Sequence, residues 1–306
     1  MIDNKKNKKK ILIVGGTGFL GYHLARICRK TSDITCISLS RPSKNKKLKS
    51  VEYIRCDISR KNNLKKKIIK KYDIVINLGG YIDHINKKKT YNSHYLGCKN
   101  LINFFLKKKI ELFVQIGSSS EYGKIDVPHK DKIKGHPSTI YGYSKLKASK
   151  YLFKFYKKKF PFTIIRFYQV YGPNQNSERL LPTIINSALE SKNFYCSSGY
   201  QNRDFLYVED ATRAIIKCFD NKKIIGKIIN IGYGKQINIK KLIKKVVLII
   251  GKGTPVFGKI KLRSDEPLNS YPDLKNAKKL LNWKPKIDIN QGLLKTISFY
   301  KKQNRL

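Results

Sequence analysis

Short apolar runs alternate along the chain with longer stretches in which apolar residues recur every three or four positions. The run at 11–14, Ile-Leu-Ile-Val, is too short for a helix and too apolar for a strand with one wet face. It predicts a strand buried on both sides. Residues 19–30 then place Leu20, Leu24 and Ile27 on one helical face. Strands are expected at 34–39 and 51–56, a basic helix at 64–71, a strand at 74–78 and a helix at 92–106. A strand at 112–116, a helix at 141–156 and a strand at 162–167 follow. Apolar strands separated by helices predict an α/β fold with a doubly wound parallel sheet, covered on both faces and linked by right-handed crossovers. After about residue 170 the rhythm breaks. Helical stretches at 180–190, 239–250 and 276–281 mix with a short strand at 228–231 and loops bearing Pro, Gly and charge. The expected organisation is a first domain at 1–168, to which 204–234 returns. A smaller interleaved α/β lobe takes 169–203 and 235–306.

Composition narrows the classes. The chain has 306 residues, 41% of them hydrophobic, which excludes a wholly disordered polymer. Its 66 Lys+Arg against 20 Asp+Glu give a net charge of +46, which on its face suggests a nucleic-acid or anionic-surface binder. Yet only 11 of the basic residues are Arg. Lysine is spread in short runs at 8–10, 65–67, 87–89, 107–109 and 157–159, and Ile and Asn are plentiful too. Lys, Ile and Asn share AT-rich codons, so compositional drift explains the excess better than a binding module. No compact set of Arg and stacking aromatics is visible. No specific nucleic-acid partner is expected, only weak polyanion binding at low salt. The six cysteines have no CxxC spacing, so no metal site is expected and a reducing cytoplasm suits them. The basic residues at 5–10 precede only a four-residue apolar run before Gly15. A secretory signal is therefore not expected, and no apolar run reaches the roughly 18 residues of a membrane span.

Gly15-Gly16-Thr17-Gly18-Phe19-Leu20-Gly21 joins the first strand to the first helix. Gly15 permits the tight turn, Gly18 lets backbone approach a pyrophosphate, and Gly21 lets helix and strand pack closely. The phosphates would sit at the helix N-terminus, over Phe19 and Leu20, where free N–H groups and the dipole favour an anion. The glycine spacing alone also suits a merely structural turn; the strand before it and the helix after it predict a dinucleotide-binding, Rossmann-type turn. The second strand ends at Ser40-Arg41-Pro42, with no carboxylate to take a ribose 2′-OH, and Arg41 can face a 2′-phosphate. The reading favours NADP, with NAD open. Asp57, with Ile58 after the third strand, is a candidate for the adenine, and Leu78 ends the fourth strand beside the same cofactor.

Tyr141 and Lys145 stand four residues apart, on one face of a predicted helix. A phenol titrates near ~10 and is a poor base at neutral pH. A neighbouring ammonium and a positive nicotinamide would both stabilise its anion. Gly117-Ser118-Ser119-Ser120-Glu121-Tyr122-Gly123 follows the strand at 112–116, at the sheet edge where ligands bind. A hydroxyl there can hydrogen-bond a substrate oxygen.

With these blocks, and with Arg166 through Pro173, Gln201 through Asp210, Arg263-Ser264-Asp265 and Trp283-Lys284-Pro285, the chain resembles the NAD-dependent epimerase/dehydratase family of nucleotide-sugar enzymes. That family lies within the extended short-chain dehydrogenase/reductase superfamily, and the resemblance runs from about residue 11 to the end. It implies that Ser118, Tyr141 and Lys145 are catalytic. It also implies that Arg203 and Arg263 bind the substrate diphosphate, with Ser119 and Gln169 beside the sugar. Members often pair through the helices matching 92–106 and 141–156, so a homodimer is implied. Departures are informative. Ser119-Ser120 replaces the Asp-Glu pair of the 4,6-dehydratases, so dehydration is not expected. His94 stands where Asn is usual, and Gln169 replaces another Asn. The expected chemistry is hydride transfer at C4 of a nucleotide-activated sugar. A 4-ketoreductase similar to CDP-abequose or CDP-paratose synthases is favoured, in which Tyr141 donates the proton. The alternative is a C4 epimerase, in which Tyr141 first removes the hydroxyl proton. A third reading is a non-catalytic NAD(P)- or polyanion-binding Rossmann protein. An intact Ser118, Tyr141 and Lys145 set argues against that one.

Overall fold

The fold comes from a computed structural model that describes residues 8–81 and 85–303. Lys5 and Lys6, part of the basic N-terminal stretch, lie outside the described residues. In chain order the strands are β1 (Lys10–Val14), β2 (Asp33–Ser38), β3 (Val51–Arg55), β4 (Ile74–Asn77), β5 (Leu112–Ser118), β6 (Phe162–Phe167), β7 (Gln169–Tyr171), β8 (Asn193–Tyr195), β9 (Asn202–Tyr207), β10 (Lys227–Ile231), β11 (Gln236–Asn238), β12 (Thr254–Val256) and β13 (Asn269–Ser270). The helices are α1 (Phe19–Cys28), α2 (Lys61–Lys67), α3 (Lys87–Tyr91), α4 (Gly97–Phe105), α5 (Ile140–Phe153), α6 (Leu180–Leu189), α7 (Val208–Ile216), α8 (Ile239–Ile250), α9 (Lys275–Leu281) and α10 (Ile289–Gln303).

Seven strands form one parallel sheet in the order β10-β6-β5-β4-β1-β2-β3. The chain winds outward from β1 to β3, then crosses back to β4 and winds the other way. The strand order therefore reverses between β1 and β4, and their carboxyl ends splay into a crevice. The two-residue period of β1 shows how the sheet is covered. Ile11 and Ile13 join a core with α1, α7, α9 and Trp283. Leu12 and Val14 join an opposite core with α2, α4 and α5. A third core packs α6, α8 and α10 around β7 and β9. There β9 pairs antiparallel with β11 and parallel with β7 and β13.

The central alternation agrees with the sequence reading, and the differences have local causes. The helix expected at 64–71 runs from Lys61 to Lys67. Its lysines give no apolar stripe, and the burial of Ile68 and Tyr72 sets where the chain turns in. The helix expected at 92–106 is preceded by α3 and opens with a π-helical turn, Asn92–Leu96, before α4. β5 continues two residues past Ile116, to Ser118. Three helices, α3, α7 and α10, were not read from the sequence. Leu101, Phe105 and Leu146, on the helices assigned to dimerisation, are buried within the chain's own fold. All six cysteines are buried and unpaired. No helix of the described residues is long and apolar enough to cross a membrane.

Candidate active site

Because the seven strands are parallel, the carboxyl ends of β1, β3, β4 and β5 all lie along the sheet edge that holds the crevice. After β1 the chain turns on Gly15, whose φ of +78° lies in the left-handed region and whose N–H donates to Ile37 O at 2.7 Å. A Cβ on Gly21 would lie 2.3 Å from Gly15 O, so glycine is what lets α1 start directly under the turn. α1 begins at Phe19 with Gly18 as N-cap. No side chain caps it, and its first turn holds no acidic residue. Uncapped N–H groups at a helix start, under a turn where a Cβ would clash with backbone, fit a dinucleotide pyrophosphate. The side chains of Phe19 and Leu20 pack against the third core; only their backbone faces the turn. Ile58 is buried, and its carbonyl accepts from Asn100 Nδ2 at 3.0 Å. Leu78 N donates to Val14 O at 3.0 Å. Asp57 accepts from both the N–H and the hydroxyl of Ser59 and pairs with Arg60 at 3.4 Å.

Beyond β2 and β3 lies a cavity of about 470 Å³ lined by Leu39, Arg41, Arg55, Asp57, Arg60, Asn63 and Lys67. Arg41 was read from the sequence; Arg55 and Arg60 were not. Arginine is scarce in this chain, and three of its eleven meet here.

β5 ends at Ser118, which is buried. Its oxygen accepts the N–H of Ser120 at 3.2 Å, and a hydroxyl oxygen used as an acceptor still has its proton to donate. Ser119 opens the short turn that follows and is partly exposed. Thr139 caps α5 by accepting from Gly142 N at 3.0 Å, so Tyr141 lies in the first helical turn. Lys145 is buried one turn on. Its Nζ donates to Ile116 O at 2.8 Å and lies 5.9 Å from the centre of the Tyr141 ring. One ammonium thus links α5 to the strand that ends in Ser118. His94 sits in the π-helical turn and meets the Tyr141 ring edge-on, with centroids 4.9 Å apart. Such turns recur at functional sites because they re-aim one side chain. The substituted position, His94, is therefore part of the wall around Tyr141.

The other two arginines of the reading come from β9 and from the segment between β12 and β13. Arg203, at the start of β9, is buried and bonds Asn202 O, Leu268 O and Glu266 Oε1, the last at 2.7 Å. Burial lowers its pKa from the ordinary arginine value, opposed by Glu266. Arg263 is exposed and reaches Glu266 Oε2 at 3.5 Å. Both arginines assigned to a diphosphate therefore converge on one carboxylate, which the sequence reading did not single out. The loop that carries Arg263 and Glu266 touches the segments that precede α5. Ser138 Oγ donates to Asp265 O at 3.2 Å, and Lys124 Nζ donates to Ser264 O. Arg263 and Asp265 share a cavity of about 610 Å³ with Thr139, Ile140 and Tyr143. Gln169 opens β7 and is exposed.

The sequence profile of the NAD dependent epimerase/dehydratase family matches residues 11–232. A protein of Methanocaldococcus jannaschii, provisionally named UDP-glucose 4-epimerase, is 28% identical across 96% of this chain and 99% of its own. The dTDP-D-glucose 4,6-dehydratase of Mus musculus is 27% identical across 96% and 89%. Among solved structures, the UDP-glucuronic acid 4-epimerase of Bacillus cereus, in complex with UDP-glucuronic acid and NAD, superposes with a TM-score of 0.84. It is 26% identical and covers 96% of this chain and 99% of that one. The chain belongs to the NAD-dependent epimerase/dehydratase family.

Proposed function

We propose that this enzyme transfers hydride at C4 of a nucleotide-activated sugar, with Tyr141 as the group that exchanges the hydroxyl proton. The observation that carries the reading is the Lys145 ammonium, held at 2.8 Å by the carbonyl of Ile116 on the strand that ends in Ser118. A bound nicotinamide supplies or accepts the hydride. Ser118 orients the C4 oxygen, Tyr141 moves its proton, and Lys145 stabilises the tyrosinate. Arg203 and Arg263, with the lobe formed by 169–203 and 235–306, hold the diphosphate. Ser119 and Gln169 border the sugar. Arginine suits a diphosphate because its planar fork makes paired bonds to phosphate oxygens. Glu266 leaves as the diphosphate arrives.

We favour a 4-ketoreductase using NADPH. The cavity lined by Arg41, Arg55, Arg60 and Lys67 favours a 2′-phosphate, and a cofactor that leaves after each turnover suits net reduction. Redox-neutral C4 epimerisation with NAD is the second reading, favoured by the relatives named as 4-epimerases. The lack of an acid–base pair at Ser119-Ser120 argues against dehydration. The test is a screen of UDP-, dTDP-, CDP- and GDP-sugars. NADPH consumption with a 4-keto sugar supports reduction, and interconversion without net redox supports epimerisation. Tyr141→Phe should lower kcat by roughly 10²–10⁴-fold with cofactor binding intact. Full activity in that variant refutes the reading.

A further inference from the structure

Behind the reacting groups lies a buried ion pair that the proposed chemistry does not use. Glu121 is fully buried and Arg166 is 2% exposed. Glu121 Oε1 accepts the N–H of Ser118 at 3.0 Å. Glu121 Oε2 accepts Arg166 Nε at 3.0 Å, Arg166 Nη2 at 2.8 Å and the hydroxyl of Ser149 at 2.9 Å. One carboxylate therefore ties together the end of β5, the strand β6 and the helix α5. Ser149 is one turn beyond Lys145 and two beyond Tyr141, on the same helical face. The strand makes room for the carboxylate: a Cβ on Gly117 would lie 2.4 Å from Glu121 Oε1. The guanidinium lies 4.5 Å from the centre of the Tyr122 ring, whose hydroxyl donates to Asn230 Oδ1 on β10 at 2.9 Å.

A buried ion pair is a poor device for stability alone, because desolvating two charges offsets much of their attraction. What a four-bonded carboxylate supplies is fixed geometry in three directions. We infer that Glu121 is a positioning residue. It sets the distance between Ser118 and the helix that carries Tyr141 and Lys145, and so the angle at which a sugar C4 oxygen meets both hydroxyls. The inference rests on the reading of Ser118, Tyr141 and Lys145 as the reacting groups.

Two variants test it: Ser149→Ala, which removes only the link to α5, and Glu121→Gln, which removes the charge that neutralises the guanidinium and is first checked for a cooperative unfolding transition. The probe is CDP-4-keto-3,6-dideoxyglucose with NADPH, or UDP-glucose with NAD if the screen shows epimerisation. In Ser149→Ala, kcat should fall about tenfold with KM and cofactor affinity within about twofold, because a small misplacement of reacting groups acts on the chemical step. The pH of half-maximal kcat should also shift. Glu121→Gln, where it folds, should lose more of kcat than Ser149→Ala. A Ser149→Ala protein with lowered thermal stability but unchanged kcat and pH profile overturns the proposal, whatever Glu121→Gln does. Tyr141→Phe is run alongside. Full activity there refutes the reading of the site itself, whereas loss in Tyr141→Phe with none in Ser149→Ala refutes only the role of Glu121.

Discussion

Arg55 shows what a single residue adds once its neighbours are known. In the sequence it is one cation among 66; in the fold it faces the same cavity as Arg41 and Arg60. A 2′-phosphate there would be held by planar forks that lysine does not reproduce. Arg41→Ala with Arg55→Ala should therefore raise the KM for NADPH at least tenfold and leave that for NADH within about twofold. Equal effects on both cofactors would count against NADPH selectivity. His129 carries a prediction of another kind. It is buried, and its Nδ1 contacts Tyr168 Oη at 2.9 Å. Burial pushes its pKa down to about 4, with the Arg166 charge acting in the same direction. In the unfolded chain it takes up a proton near pH ~6.5. As pH falls from there toward 4, the unfolded state binds a proton that the folded state refuses. Stability is lost over that window, in total by roughly 3 kcal/mol. Asp204 opposes this. Its burial lifts it to about 7, so on acidification the folded state takes up its proton first and gains. The readout is therefore the difference between wild type and His129→Gln. The variant should lose less thermal stability between pH 7 and pH 5, and parallel curves would refute the assignment.

At the scale of elements, the β1–α1–β2 unit was the most legible part of the chain. A four-residue apolar run, a glycine turn and an amphipathic helix differ in period and composition, so each announces itself. The turn also tolerates little change. In Gly21→Ala the methyl group meets Gly15 O and Gly16 Cα, which lies 2.7 Å away. Since both contacts are backbone, the turn has to move. The cost should be about 1–3 kcal/mol in thermal or denaturant unfolding. Cofactor affinity, followed by nicotinamide fluorescence, should fall at least tenfold in the same variant, because the phosphate cradle moves with the turn. α2 was less legible because Lys65, Lys66 and Lys67 present no apolar stripe, and a buried Ile68 decides where it stops. α7 and α10 were missed although their buried faces are regular: Val208, Ala211, Ala214 and Ile215 in one, Leu293, Ile297 and Tyr300 in the other. Their small and polar residues dilute a pattern that is clear once the packed face is known.

For the whole molecule, the +46 charge remains the feature least tied to the site. The lysines of 65–67, 87–89, 107–109 and 157–159 are exposed and spread over α2, α3 and the turns that follow α4 and α5. Such a surface attracts polyanions by counterion release alone. RNA or heparin should bind at 50 mM salt and release by roughly 0.2 M salt, with no sequence preference and no effect on turnover at the higher salt. Retention at high salt without turnover would instead favour a binding protein.

The sequence by itself determined the parallel α/β class, the glycine turn and the Tyr141–Lys145 pair, because each depends on neighbours within a few residues and on the period of a helix or strand. Tertiary structure decided what depends on residues far apart in the chain. Glu266 lies 63 residues from the Arg203 it pairs with, and Glu121 45 residues from Arg166. Arg41, Arg55 and Arg60 come from segments that meet only because β2 and β3 lie side by side. Charge pairing across such distances has no period to read. It follows from which strands the crossovers bring together, and that choice is made by the burial of the whole sheet.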